Sequence, residues 1–378
     1  MVDRNADSSR SIGNRIRACR ESASLTQQQL SEIVGIGDRQ TLSAIETGER
    51  RVQAAELVKI GNALKRPVDW FLDPFVVAGE AQFCWRAAKE LTNETLDLFE
   101  DHIGAVVGVL RHLKTTLNGP AKTFAQTLRL PVHRTFEDAW AWGEAVGDEL
   151  ELGLVPSLTL VDQIEKRLDI SVLFIDAKVS ADVAHDVSAV SGAMCRLPEL
   201  GVIVVNRAEP LSRRNFDVAH ELFHALTWDA MVPDRLEVLG KPPRRNQHVE
   251  RMADNFAAAL LMPRASLDRL IPREHLADVE YLSNIARELR VSNQALAFRL
   301  LNARMISETT CDELKVVKPL KAKPDVPRLF SESFVSLLHA GIADGHVSSR
   351  KVAKALSLTL DELAELMQAY GKAVPFAV

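Results

Sequence analysis

Residues Phe216 to Leu226 read FDVAHELFHAL, a run fit for a hydrophobic core except for three ionisable groups at its centre. On a helix, Asp217, His220, Glu221 and His224 fall at i, i+3, i+4 and i+7, a single stripe of about two turns. Phe216, Val218, Ala219, Leu222, Phe223, Ala225 and Leu226 cover the remaining surface. A buried polar stripe is costly unless its groups are satisfied, and a divalent metal satisfies two neutral imidazoles in one place. His220 and His224 sit one turn apart, so both rings reach one ion at about 2.0–2.1 Å. The spacing is HExxH, which puts Glu221 beside the ion as a general base for water. The chemistry implied is hydrolysis at a Zn²⁺ centre.

Such a centre needs a third protein ligand and an open position. The downstream string HVERMADNFAAALLMP, His248 to Pro263, is a second mostly apolar helix with Glu250 and Asp254 at i, i+4. Like charges at that spacing repel on an exposed helix but are explained beside a cation. Glu250 is read as the third ligand, and Asp254 as acceptor for the other ring nitrogen of His220. His248 is the alternative ligand, at the helix start. The longer motif HExxHxxGxxH is excluded because positions 227 and 230 are Thr and Ala.

The HExxH…ExxxD arrangement resembles that of the gluzincins, and the strings RRNFDVAHELFHAL and ERMADNFAAALLMP resemble the ImmA/IrrE family of bacterial zinc metallopeptidases. The likeness runs from about Trp85 to Ile306, with Asp217 standing where that family usually has threonine. It implies a zincin-like fold and an endopeptidase that cleaves a repressor in response to stress, phage or mobile-element signals.

A second set of residues points to DNA. Residues 11–74 divide into short amphipathic helices, with Thr26 and Asp38 as caps and Gly35 and Gly48 as stops. Leu25-Thr26-Gln27, Leu30, Thr41, Ser43, Ile45-Glu46 and Gly48 resemble the pattern of the XRE (Cro/C1-like) helix-turn-helix family. That resemblance implies a five-helix DNA-binding domain reading a double-stranded operator. Arg39, Gln40, Thr41 and Ala44 would face the major groove, and Gln27 and Gln28 would approach phosphate. Residues 1–75 hold 11 Lys/Arg against 10 Asp/Glu, a net of +1, so one copy should bind weakly and a homodimer is expected.

The elements that position these groups are expected to be mainly α with a small β-sheet, an α+β class. The 378 residues are 47% apolar and 26% charged, enough for two or three domains, with a net charge of −5. No apolar run is long enough for a bilayer, the N-terminus MVDRNADSSRS lacks an apolar leader core, and Cys19, Cys84, Cys195 and Cys311 are widely spaced. A cytoplasmic protein with no membrane partner is predicted.

The expected boundaries are a DNA-binding domain at 1–78, a metallopeptidase domain with helical connector at 79–307, a linker at 308–328 and a helical C-terminal module at 329–378. Residues 80–165 read as helical, with Trp85, Phe99, Trp140 and Trp142 as core. ISVLFIDA, SGAMCRL and GVIVVN read as strands, the last two a hairpin around Pro198-Glu199. GVIVVN is the expected seat for an extended polypeptide substrate. Cys195, in that hairpin, is a candidate inhibitory ligand for the open metal position. Tyr281, Arg213 and His185 are candidates to stabilise an oxyanion. The substrate would be this chain itself or a partner repressor. Rival readings are a regulator whose zinc is structural or sensory without proteolysis, and an antitoxin-like regulator.

Overall fold

The computed structural model describes residues 4–87, 91–119, 135–176, 190–238, 247–318 and 325–377. The class is α+β. The chain begins with five helices: α1 (Arg4–Ser22), α2 (Gln27–Val34), α3 (Arg39–Glu46), α4 (Ala54–Ala63) and α5 (Val68–Leu72). Thr26 and Gln29 close a capping box on α2, and Gly35 ends that helix in the left-handed region at φ 67°. Asp38 caps α3 by accepting from the Thr41 backbone N–H. Ile16, Leu30, Val34, Leu42, Ile45, Leu57, Ile60 and Phe71 form a core of their own. Inside the bundle Arg20 pairs with Glu46 at 2.6 Å, tying the end of α1 to the end of α3.

The next elements in chain order are β1 (Gln82–Ala87), α6 (Asn93–Asn118), α7 (Phe136–Glu149), α8 (Leu160–Leu168), β2 (Ser171–Ile175), β3 (Val190–Leu197), β4 (Leu200–Asn206) and α9 (Leu211–Thr227). They are followed by β5 (Leu236–Val238), α10 (Gln247–Leu261), α11 (Arg264–Leu270), α12 (Val279–Glu288), α13 (Asn293–Asn302), α14 (Glu308–Val316), α15 (Glu332–Ala343), α16 (Ser349–Ala355) and α17 (Leu360–Ala369). The five strands form one sheet in the order β2-β4-β3-β1-β5. The β3–β4 hairpin and the β1–β3 pair are antiparallel, and β2 and β5 add in parallel to β4 and β1.

Each face of this sheet has its own core, as strand alternation requires. Cys84, Met194, Ile203 and Val205 turn toward α9, α10 and α7. Phe83, Trp85, Ala193, Cys195, Val202 and Val204 turn toward α6 and the helices α15 to α17. Gly192 on β3 fits closely against β4, because a Cβ there would stand 3.0 Å from the Val204 carbonyl oxygen, whereas the Asp217 and Glu221 side-chain carbons of α9 would be at an ordinary 3.8 and 4.0 Å.

Three expectations change. QFCWRA, inside the segment read as helical, is strand β1: it alternates Phe83 and Trp85 on one side with Cys84 and Arg86 on the other. Glu308–Val316, read as the start of a linker, is helix α14, capped by Ser307 and burying Cys311 and Leu314. The C-terminal helices share the core of α6 and the sheet, where Phe334, Val335 and Leu338 lie with Phe99 and Val109, and the Phe330 N–H donates to Phe174 at 2.7 Å. Among the described residues, no helix is long and apolar enough to cross a membrane.

Candidate metal centre and nucleic-acid interface

Helix α9 is buried continuously from Asp217 to Thr227. Its apolar residues pack on the sheet and α10, and its polar stripe meets the polar stripe of α10. His220 Nε2 and His224 Nε2 lie 3.1 Å apart, and Glu250 Oε2 lies 3.3 Å from each. On the far side of the ring, Asp254 Oδ1 stands 2.9 Å from His220 Nδ1. An Nδ1–H donated to that carboxylate leaves Nε2 as a bare lone pair aimed at the other two atoms.

Three observations fit this triangle to a divalent cation. Ligands at 2.0–2.1 Å around a tetrahedral ion are separated by about 3.4 Å, close to the three edges measured. Both Glu221 oxygens, both Glu250 oxygens and His224 Nδ1 are buried without a hydrogen-bond partner among the described residues, an expensive set to leave unsatisfied. The charge is also unbalanced: Asp217, Glu221, Glu237, Glu250 and Asp254 surround the site with, among the described residues, Arg86 and Arg213 against them. The residues present therefore suit a metal ion held by His220, His224 and Glu250.

Burial pushes the Glu221 carboxyl up to about 7, against the pull of His220, His224 and Arg86. Burial alone would raise Glu250 as well, but His224 and His220 hold it far below the usual carboxylate range. The two carboxyls are thus pushed in opposite directions by burial on the one hand and the imidazoles on the other.

Other residues named from the sequence are placed as follows. His248 is exposed on the first turn of α10, its ring 5.3 Å from that of Phe136, and it does not join the cluster. The Tyr281 hydroxyl donates to the Leu270 carbonyl at 3.0 Å. Arg213 pairs with Asp217 at 3.2 Å, and its Nη2 is buried without a partner among the described residues. His185 lies outside the described residues. Cys195 is fully buried on the sheet face turned away from α9, and burial pushes its thiol far up, so it cannot reach the open metal position. The strand GVIVVN also fails as a substrate seat, because β4 is paired on both sides, by β2 and β3.

Three residues at the site escaped sequence reasoning. Cys84, paired in register with Met194, has its sulfur within 4.8 Å of Glu221 and His224 ligand atoms. Arg86, two residues on and almost fully buried, pairs with Asp217 at 3.3 Å, Asp254 at 3.0 Å and Glu237 at 3.0 Å. Glu237 on β5 stands 3.4 Å from His220 Nε2. An arginine flanked by Trp85 and Ala87 in an apolar strand was the available signal, since a buried guanidinium requires acidic partners.

At the other end of the chain, Arg39 and Gln40 are exposed at the start of α3, with Thr41 and Ala44 half-buried behind them. Gln27 at the start of α2 donates to Glu46 at 2.9 Å and faces Arg39 Nε at 3.4 Å, and Gln28 donates to Glu32 at 2.7 Å. Gln27 and Gln28 thus open α2 and Arg39, Gln40 and Thr41 open α3, with Ala44 in the second half of that helix.

A five-helix bundle with an exposed third helix, followed by a sheet whose covering helix carries HExxH, defines a helix-turn-helix protein joined to a metallopeptidase-like domain. Comparison with family models gives the particular pair: residues 16–71 match the helix-turn-helix family and residues 165–301 match the IrrE N-terminal-like domain. This chain is a fusion of the two. No curated protein matches it. Among solved structures, the apo form of the competence regulator ComR from Streptococcus vestibularis aligns over 97% of this chain and 100% of that one, at 11% identity and a TM-score of 0.17, too low to support any argument.

Proposed function

We propose that the chain is a cytoplasmic, homodimeric DNA-binding transcription regulator whose IrrE-like domain is a zinc-dependent endopeptidase. Its target would be this chain or a partner repressor, cleaved after a stress, phage or mobile-element signal. The observation that carries the reading is the convergence of His220 Nε2, His224 Nε2 and Glu250 Oε2 at 3.1–3.3 Å, one helical position from the unpartnered Glu221 carboxylate.

Zinc bound there would supply a Lewis acid for the scissile carbonyl and acidify the attacking water. Glu221 takes the proton of that water as its oxygen bonds to the carbonyl carbon. The same carboxyl then returns the proton to the amine nitrogen as the C–N bond breaks. The same buried carboxylate, within reach of both positions, serves both transfers. Asp254 fixes the tautomer of His220, and the surrounding apolar residues of α9 and α10 exclude bulk water.

For DNA, Arg39, Gln40, Thr41 and Ala44 read the major groove while Gln27 and Gln28 approach phosphate. The proposed units are residues 1–78 for DNA and 79–307 for peptidase chemistry, with 329–378 serving as a helical module built onto the latter.

The test is zinc content by elemental analysis of wild type beside Glu250→Ala, followed by cleavage assays with Glu221→Gln as control. About one zinc per chain, lost in Glu250→Ala, with loss of intact polypeptide that depends on Glu221, is expected. A folded wild type that takes up no zinc would overturn the reading. A second reading, zinc held without proteolysis, is favoured by the Glu237 carboxylate beside His220.

A further inference from the structure

The metal reading leaves Glu237 without a role, although its Oε2 stands 3.4 Å from His220 Nε2. We propose that Glu237 is a fourth protein ligand of the metal, so that the resting centre is closed and becomes a working site only when β5 withdraws. The proposal rests on the metal centre assigned above.

Strand alternation places the group. In β5, Leu236 packs with the core on the far face of the sheet, so Glu237 points to the α9 face, in register with Arg86 on β1. There Glu237 Oε2 stands 3.4 Å from His220 Nε2, the edge length expected between two ligands of one tetrahedral ion, about 3.4 Å. With the three edges of 3.1, 3.3 and 3.3 Å among His220, His224 and Glu250, four of the six edges of a coordination tetrahedron are present. The two missing edges run from Glu237 to His224 and Glu250, and Glu237 stands outside the set of ligand atoms that already lie within 4.8 Å of one another. Two carboxylates repel one another, and a dication between them reverses the sign of that interaction, drawing Glu237 the remaining distance.

Arg86 makes the arrangement tolerable and adjustable. Its Nε stands 3.0 Å from Glu237 Oε2, an ion pair that offsets the carboxylate charge whether or not it ligates. The same guanidinium reaches Asp254 and Asp217, and so grips the helices that carry the other ligands. The strand that carries Glu237 is anchored at its start, where Arg235 pairs with Asp97 and Glu100 on α6, and is held less firmly beyond that point. It is three residues long, partly exposed, and, among the described residues, at the edge of the sheet with β1 as its paired neighbour. Peeling three residues away from β1 would remove the fourth ligand, free an edge to which an extended polypeptide could add, and leave the other three ligands in place.

The experiment uses the full chain loaded to saturation with cobalt(II), whose visible bands report coordination, and titrates it with acetohydroxamate, a small bidentate metal ligand. Wild type and Glu237→Ala are compared, with Glu237→Gln as a second variant that keeps the side-chain size. Both substitutions lie on a partly exposed edge strand, and circular dichroism checks their fold. If Glu237 occupies the fourth position in nine-tenths or more of the molecules, its removal changes the cobalt bands and tightens acetohydroxamate binding about tenfold or more. Unchanged bands, with affinity within about twofold of wild type, would overturn the proposal while leaving the three-ligand centre intact. A folded wild type that binds no cobalt would instead overturn the metal reading itself.

Discussion

Asp254 Oδ1 lies 2.9 Å from His220 Nδ1, and the same oxygen lies 3.0 Å from Arg86 Nη2. One carboxylate oxygen thus links a candidate metal ligand on α9 to a guanidinium on β1. Asp254→Ala removes the acceptor that fixes the His220 tautomer without touching the three converging atoms. Zinc affinity, measured by competition with a chromophoric chelator, should fall about 10- to 100-fold. An unchanged affinity would show that His220 needs no such partner.

Metal removal should be felt in stability as well as chemistry. Ligands that converge from α9 and α10 are brought together only in the folded chain, so an ion bound there stabilises the native state. At a free zinc concentration about 1,000 times the dissociation constant the gain is about 4 kcal/mol. For a domain of this size that corresponds to about 10 °C in Tm. Scanning calorimetry with and without a chelator should show this shift in wild type and not in Glu250→Ala.

Arg86 is buried with Asp217, which is fully enclosed between β1 and α9. Removing one partner of a buried pair leaves the other charge unpaired, at a cost of about 3–5 kcal/mol. Arg86→Met should therefore lower stability by that amount in urea denaturation. The double substitution Arg86→Met with Asp217→Asn should recover at least about 1 kcal/mol, because the stranded carboxylate is gone. Simple additivity would show that the two side chains do not interact.

The pattern of what could be read from sequence follows from how local each signal is. The α9 and α10 stripes were legible because a histidine or carboxylate on an otherwise apolar helix fixes its face by itself. Cys84 and Cys195 were not distinguishable, since each sits in an apolar strand and only the register of β1 against β3 decides which face of the sheet it takes. β5 was invisible because three residues carry no usable periodicity, and with it Glu237 was missed. GVIVVN read correctly as a strand, but its central place in the sheet comes from β2 and β3 pairing to it across the chain. The C-terminal helices were read as a separate module because nothing local records that Phe334 and Leu338 pack beside Phe99.

The N-terminal bundle allows contact and scaffolding to be told apart. Gln40 is exposed at the start of α3, whereas Glu46 at its end is buried against Arg20 at 2.6 Å. Gln40→Ala should leave the bundle folded and weaken specific DNA binding by about 1–3 kcal/mol, with a smaller effect on non-specific DNA. Glu46→Ala leaves Arg20 with Glu21 at 3.3 Å as its remaining acidic partner, costs about 1.5–3 kcal/mol of stability, and should weaken binding to all sequences alike through unfolding of the bundle. Binding isotherms on specific and random duplexes at fixed salt, paired with melting curves, separate the two. If Gln40→Ala lowered both affinities equally with an unchanged melt, α3 would not be reading bases.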